Sequence, residues 1–523
     1  MDKQNELITT DKVLGIMRAI GMPLNGDDER TAVSQIVPPS PRSSPTIGET
    51  SSMSRRKLFA IVVMLGEPEN ILSFIREGIW DEHLPLRRDP TTREWERRDN
   101  SDRDKMLRVA CFKDEMWSPS FQDLFEIYQW YFLPPFFDMG GVGLRHYPLR
   151  HEVPLPFIED EPHAEGGFGQ VRRVKVHRGH HNLASKDLIC AVKRLKSTSK
   201  DDFDREVEAL SRFRDDGNPH LVKLLATYHD GKYYHLMFPL ANGDLRDHWR
   251  LYPSPKQSYE KTLWIAEQCF GIAEALRKIR NDEFSNASNR GLIEMYMKGR
   301  HGDVKPENIL LFPSSNDNAN TVDHSQGVLA LSDFGHTRFH RDPSANQKRP
   351  HTFAVSWMYR APEYDLGGEI SPAWDIWSLG CVYLEFIVWY LQGWEALSAF
   401  LMQCGYGLAT DGEHEGYFYR RRWSILGPSR KGAVIRRIEQ LQNHPNCTRF
   451  VYDLLQLINQ GMICIRPKKR MDCADVAKRM KEMLEECRKR PAYCTKPGAM
   501  NESDKKLGLN WASKPLSRAR TRP

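Results

Sequence analysis

Residues 301–310 read HGDVKPENIL, and the reading of the whole chain turns on this stretch. It gathers an acid (Asp303), a cation (Lys305) and an amide (Asn308) into one short segment that ends in an apolar run. Asp303 precedes Asn308 by a little more than one helical turn. A second aspartate, Asp333, follows an apolar strand-like run in LSDFGHT (331–337). Asp303 is suited to take a proton from a hydroxyl, and Asn308 and Asp333 offer the hard oxygen ligands that Mg²⁺ prefers. Three oxygen-bearing side chains placed this way have little structural purpose, so they point to chemistry.

Working outward, AEGGFGQV (164–171) carries Gly166, Gly167 and Gly169. Glycines let backbone amides approach a phosphate because no side chain blocks the way. Taken alone, such a turn is more often a plain hairpin. Context comes from Lys193 in CAVKRL (190–195), a cation on the strand after the hairpin, and from Glu206 in FDREVEAL (203–210), a carboxylate able to hold that ammonium. Either residue taken singly reads better as an exposed charge.

In this order, the motifs resemble those of the protein kinases, serine/threonine type: a Gly-rich loop, a strand lysine, a catalytic loop, a DFG and an APE. The resemblance covers about residues 157–487 and implies an α+β, bilobal fold with a β-rich small lobe and a helical large lobe. It also implies ATP and Mg²⁺ as cofactors and protein hydroxyls as substrates. Residue by residue, it assigns Gly166, Gly167, Gly169 and Val171 to the nucleotide-covering loop, with Val171 and Ala191 against the adenine. Lys193 is assigned to the α/β-phosphates, and Glu206 is its ion-pair partner. Asp303 matches the catalytic aspartate, Lys305 the cation near the γ-phosphate, and Asn308 with Asp333 the metal ligands. Alignment through NGDL (242–245) puts Met237 at the back of the adenine pocket and Phe238 to Leu240 at the hinge. Asp244 there is read either as a ribose contact or as a helix N-cap. Glu363 of RAPE (360–363) and Arg470 match a buried ion pair, and Asp375 of DIWSLG matches a brace for the catalytic-loop backbone. Lys305-Pro306-Glu307 and Ser356 both agree with the serine/threonine type.

Two residues depart from the family pattern. Ala164 stands where the first loop glycine is usual, with an expected loss of loop freedom. Gly302 replaces the arginine of His-Arg-Asp, which removes the usual reader of a phosphate on the activation segment. Activation is therefore expected not to depend on phosphorylation of that segment, although Ser344 and Thr352 lie in it. The HGDVKPEN variant, the FPLANGDLRDHW hinge and the preceding helical region together look similar to a group of fungal kinases. Two alternatives stay open: a catalytically inactive kinase-fold scaffold, which would normally lack one of Lys193, Asp303, Asn308 or Asp333, and a small-molecule kinase of choline or aminoglycoside type, which would lack the APE and the Asp375 helix.

At 523 residues the chain is too long for one ordinary core. Residues 1–56 are expected to be a disordered segment and linker, rich in Pro and Ser over 26–54. A small helical region is expected over 57–150, closed by Pro134 and Pro135, with its aromatics in its own core and a partner or regulatory role of its own. The kinase domain spans 151–487 (small lobe 151–238, large lobe 239–487), with surface insertions at 281–300 and 311–327. A basic disordered tail is expected over 488–523. That tail carries ten Lys/Arg against Glu502 and Asp504, a surplus of eight within a formal net charge of +6, so the rest is close to neutral and nucleic acid is not an expected partner. The apolar run from Phe59 to Leu65 is far short of the roughly 20 residues that span a bilayer, and no signal peptide is recognisable. A soluble protein of the cytoplasm or nucleus, with reduced structural thiols, is the expectation.

Overall fold

Alternating, β-branched sequence after residue 157 and helical periodicity after Tyr259 call for strands first and helices later, and the computed structural model has that order. The structure describes residues 8–20, 26–38, 54–99, 105–113, 117–166, 169–214, 216–282, 297–313, 327–340, 358–365, 371–405, 418–420 and 428–496. Gly167, Ser344, Thr352 and Ser356 lie outside them. Two compact units are present.

The first unit (residues 1–164, 170–198 and 225–237) begins with helices α1 (Thr10–Ala19) and α2 (Gly26–Ile36), followed by α3 (Arg56–Met64) and α4 (Ile71–Arg76). The disorder expected over 1–56 is thus corrected for both early helices. Val13 and Met17, Val33 and Ile36 recur at helical spacing and are buried against Leu58, Phe59 and Ile61 of α3. The Pro/Ser-rich composition of 26–54 comes from its second half, which masked the apolar face of its first. Thr9 caps α1 through the Lys12 amide, and the Asp81 carboxylate accepts the Lys57 and Leu58 amides at the start of α3 (3.2 and 3.0 Å).

The region 57–150 is not purely helical either. A three-stranded antiparallel sheet, β1 (Arg87–Arg88), β2 (Trp95–Arg98) and β3 (Met106–Val109), precedes helix α5 (Pro119–Tyr128). Trp95 stacks on Phe112 with ring centroids 4.2 Å apart, and Phe125 of α5 meets Phe74, Phe112 and Trp117 edge-on or tilted. The aromatic residues therefore make a core, as read, although Tyr131 and Phe136 are exposed.

A six-stranded sheet completes the unit, in the order β4 (His146–Pro148), β8 (Ala226–His229), β9 (Tyr234–Pro239), β7 (Leu188–Leu195), β6 (Gly169–Val176), β5 (Phe157–Gly166). Strand β4 runs parallel to β8, with Tyr147 opposite Tyr228. Ahead of it, the Phe137 amide donates to His180 O (2.8 Å), and Asn182 Oδ1 accepts the Met139 and Gly140 amides (2.8 and 2.9 Å). Phe137 and Met139 are buried in the same core as Val174, Val192 and Met237. The small-lobe boundary expected at 151 is corrected accordingly, since residues from about Phe137 onward belong to the sheet's core.

The second unit holds residues 165–169, 199–224 and 238–523. Helix α6 (Lys200–Arg212) buries Phe203, Glu206 and Leu210 on one face. Short strand β10 (Gly243–Asp244) leads into helix α7 (Leu245–Leu251), capped by Asp244, and helix α8 (Tyr259–Arg280) follows. A strand pair, β11 (Asn281–Asp282) and β12 (Met297–Arg300), brings the chain to residue 301. Residues 281–282, 297–300 and 311–312 are thus strand rather than insertion, and the interiors of both expected insertions lie outside the described residues. Strands β13 (Ile309–Phe312) and β14 (Val328–Leu331) form an antiparallel hairpin, and β15 (Arg338–His340) pairs with β12.

The 31-residue helical run α9 (Ala373–Gln403) is buried throughout from Trp374 to Leu391 and breaks at Gly393. There φ is +83°, and a Cβ would lie 2.5 Å from Pro253 O, so only glycine fits. Short strands β16 (Tyr419–Arg420) and β17 (Ser429–Arg430) pair antiparallel. Helices α10 (Gly432–Gln442), α11 (Arg449–Gln456), α12 (Cys473–Lys489) and α13 (Pro491–Thr495) close the unit. The disordered tail expected from 488 is corrected for 488–496, where Cys494 is buried and the Tyr493 hydroxyl donates to Asp453 (2.8 Å). Nine of the ten cysteines are buried. Among the described residues, no helix is long and apolar enough to cross a membrane.

Because Phe137 is fully buried beneath β4, Phe137→Ala is expected to cost about 3–5 kcal/mol in urea denaturation of the full chain. A chain begun at Tyr147, which loses Phe137, Met139 and His146 of β4, is expected to melt lower than one begun at Ser54.

Candidate functional site

Between β12 and β13 the backbone turns sharply. Gly302 takes φ +89°, a conformation that costs an L side chain roughly 1–2 kcal/mol. In that conformation the amides of His301 and Gly302 both point at one carboxylate: they donate to Asp375 Oδ2 and Oδ1 at 2.8 and 2.9 Å. Asp375 lies in the first turn of α9 and is buried. Desolvation pushes its pKa up, while His301, Arg300 and the two amides pull the other way. The glycine therefore does more than omit an arginine, because it meets the turn without strain. His301 is anchored on its far side as well, with Nε2 2.9 Å from Ser332 O and its ring edge-on to Phe334 at 5.3 Å.

Past the turn, the three residues of the opening stretch come together. Asp303 Oδ2 accepts from Lys305 Nζ (2.7 Å) and from Asn308 Nδ2 (2.9 Å), and the same amide nitrogen donates to Asp303 O (2.8 Å). With its nitrogen committed to Asp303, Asn308 keeps its carbonyl oxygen for another partner. Hairpin register does the rest: Ile309 faces Leu331, and the Ser332 amide donates to Asn308 O at 2.9 Å. Asp333 therefore follows directly beside Asn308.

Asp333 is one of two non-glycine residues described with positive φ (+61°, ψ 76°), the kind of strain that accumulates at functional sites. A Cβ on Gly335 would lie 3.4 Å from Asp333 Oδ1 and 3.7 Å from Glu206 Oε2, so both carboxylates border this glycine. Glu206 is buried with the apolar face of α6, and Phe213 at the end of that helix stands 6.3 Å from the Phe334 ring. A hard divalent cation suits this donor set: an amide oxygen and a carboxylate on neighbouring backbone positions.

Asp244 is a helix cap. Its side chain accepts the Asp247 amide (2.9 Å), and burial raises its pKa to about 6. Phe238 and Leu240 are half-buried, and Gly166 and Gly169 stand at the facing ends of β5 and β6. In the first unit, Lys193 and Ala191 sit half-buried on β7 and Val171 on β6. Met237 is fully buried opposite Ala226 on β8, and its carbonyl accepts the Leu225 amide at 2.8 Å. The expected structural pair is present too: Arg470 binds Glu363 through two bonds of 2.7 and 2.6 Å, both residues buried.

One charged group was not foreseen. Arg246 of α7, Glu307, Tyr359 and Glu385 of α9 are joined side chain to side chain. The sequence carried half a signal, a lone acid inside the apolar run CVYLEFIVWYL. Nothing local marked Arg246, which sits among polar residues at a helix start.

Comparison with known proteins agrees with this geometry. Residues 161–393 match the family described as protein kinase domain. The chain is 26% identical over 227 residues to Aurora/IPL1-related protein kinase 2 of Caenorhabditis elegans, covering 43% of this chain and 61% of the relative. It is 28% identical over 243 residues to human dual specificity tyrosine-phosphorylation-regulated kinase 3, covering 46% and 34%. It is 30% identical over 245 residues to bovine interleukin-1 receptor-associated kinase 1, covering 44% and 29%. The chain spans less than two thirds of the length of these relatives. Residues 161–393 are thus similar to a protein kinase domain, and the strands-then-helices order is the one the bilobal fold calls for.

The φ at Gly302 yields a stability test. Gly302→Ala is expected to lower unfolding free energy by roughly 1–2 kcal/mol in chemical denaturation, with the same sign for Gly302→Arg.

Proposed function

We propose that the chain is an ATP-dependent protein kinase that phosphorylates serine or threonine hydroxyls, and that its activation does not run through an arginine before Asp303. The observation that carries this reading is the Asp303, Lys305 and Asn308 cluster, hydrogen-bonded as a unit on a backbone braced by Asp375. Phosphoryl transfer asks a protein mainly for positioning and charge neutralisation, and these side chains serve those two tasks. Asp303 Oδ2, oriented by Lys305 and Asn308, is the acceptor for the proton of the attacking hydroxyl. Lys305 Nζ supplies positive charge beside it. Mg²⁺, when bound with ATP, neutralises charge on the phosphates, and Asn308 and Asp333 are the residues that would hold it. Lys193 is the further cation this reading calls on for the phosphates.

The serine/threonine assignment is supported by the Lys-Pro-Glu after Asp303. Independence from segment phosphorylation is supported by Gly302, which carries no guanidinium and suits a turn at φ +89°. The same HGD stretch underlies the likeness to the fungal group.

The test is incubation of purified protein with γ-labelled Mg-ATP and a generic basic protein, beside Asp303→Asn. Phosphoserine or phosphothreonine formed by the unmutated chain is the expected outcome, with a loss of at least about 10²-fold in the variant. ATP binding without transfer would instead make the chain a scaffold. Phosphatase treatment and Thr352→Ala are each expected to leave specific activity unchanged, and a collapse in either would overturn the regulatory half of the reading.

A further inference from the structure

A charged side chain is costly to bury unless its partners are buried with it. Arg246, with its side chain 2% exposed, lies against a fully buried carboxylate, Glu385. Its guanidinium reaches three different pieces of chain, with hydrogen bonds to two of them and a charge pair to the third. Nε lies 3.1 Å from Glu307 Oε1, Nη1 lies 3.1 Å from Glu385 Oε2, and Nη2 donates to the Tyr359 hydroxyl. Tyr359 in turn donates to the Glu385 carboxylate, 3.0 and 3.1 Å from its two oxygens, and its carbonyl accepts Ser378 Oγ of α9 at 2.8 Å.

The positions of those pieces matter more than their number. Glu307 sits in the tight turn Pro306–Asn308, between the lysine and the amide that orient Asp303. Tyr359 lies at the far end of the segment that begins at Asp333, four residues before the Glu363 that Arg470 holds. Glu385 belongs to the same buried helical run as Asp375. One planar cation therefore fixes the distance between the catalytic-loop turn, the end of the segment and α9. A buried methionine would fill the same volume and fix none of them. Lysine, a point charge, cannot bridge two carboxylates in a plane as the guanidinium fork does.

We propose that Arg246 is a positioning residue for phosphoryl transfer, holding the Glu307 turn in register with Tyr359 and Glu385 so that Asp303 and Asn308 keep their geometry. The inference rests on the kinase reading. It places the coupling between segment and catalytic loop in a side chain of α7, where the family's His-Arg-Asp arginine is replaced by Gly302.

The experiment compares full-length wild type, Arg246→Lys, Arg246→Met and Arg246→Met/Glu385→Gln in the labelled Mg-ATP assay, with thermal unfolding of each. Arg246→Met is expected to lower kcat by about tenfold or more with KM for ATP nearly unchanged, and Arg246→Lys is expected to fall between it and wild type. The double variant removes the buried carboxylate left without its cation, so its melting temperature is expected to recover toward wild type while kcat stays low. Wild-type kcat in Arg246→Met, or recovery of kcat together with melting temperature in the double variant, would overturn the inference. A wild type that transfers no phosphate would instead overturn the kinase reading, and this inference with it.

Discussion

The two hydrogen bonds from the His301 and Gly302 amides to the Asp375 carboxylate are the constraint on which the rest of the site depends. A backbone turn with φ +89° has no helix or sheet ladder to satisfy its amides, and buried amides must find acceptors. Asp375 supplies both oxygens from a helix that is itself locked in the core, so the turn at residues 301–303 inherits the rigidity of α9. From that fixed point Asp303 emerges into its bonds with Lys305 and Asn308, and the β13–β14 hairpin carries Asp333 alongside. Without the brace, the same side chains would hang from a loop with no reason to hold one geometry.

Around this fixed point the protein spends buried charge freely. Asp375, Glu385, Glu363 and Arg470 are all buried, and so is Arg246. Buried ion pairs are weak as sources of stability, because desolvation offsets most of the attraction, but they are strict about geometry. Burial pushes the Glu385 carboxyl up to about 7, with Arg246 opposing the shift. Arg470 ties Glu363, ahead of α9, to the chain that follows it, and Arg246 ties the Glu307 turn to Glu385 of α9, positions where an apolar contact would allow sliding.

Much of this was legible in the sequence, because the chemistry-bearing residues are spaced locally and arrive in a diagnostic order. Asp303, Asn308 and Asp333 declared themselves by chemistry, and Asp375, Glu363 and Arg470 by their place in that order. What stayed hidden depended on distance or averaging. The apolar faces of α1 and α2 were diluted by the Pro/Ser-rich stretch next to them. Strand β4, three residues ending in a proline, gains its identity only from pairing with Thr227, Tyr228 and His229 far along the chain. Arg246 looks like any exposed arginine until Glu307, Tyr359 and Glu385 are brought to it. Asp244 was readable in two ways, and its bond to the Asp247 amide makes it a cap.

The most direct measurement of the central constraint is hydrogen exchange at the amides of His301 and Gly302 in the full chain, beside Asp375→Asn. The account predicts slow exchange at both amides in the wild type, with marked acceleration in the variant while core amides of α8 and α12 exchange as before. Fast exchange at both amides in the wild type, or equal rates in the two proteins, would contradict it.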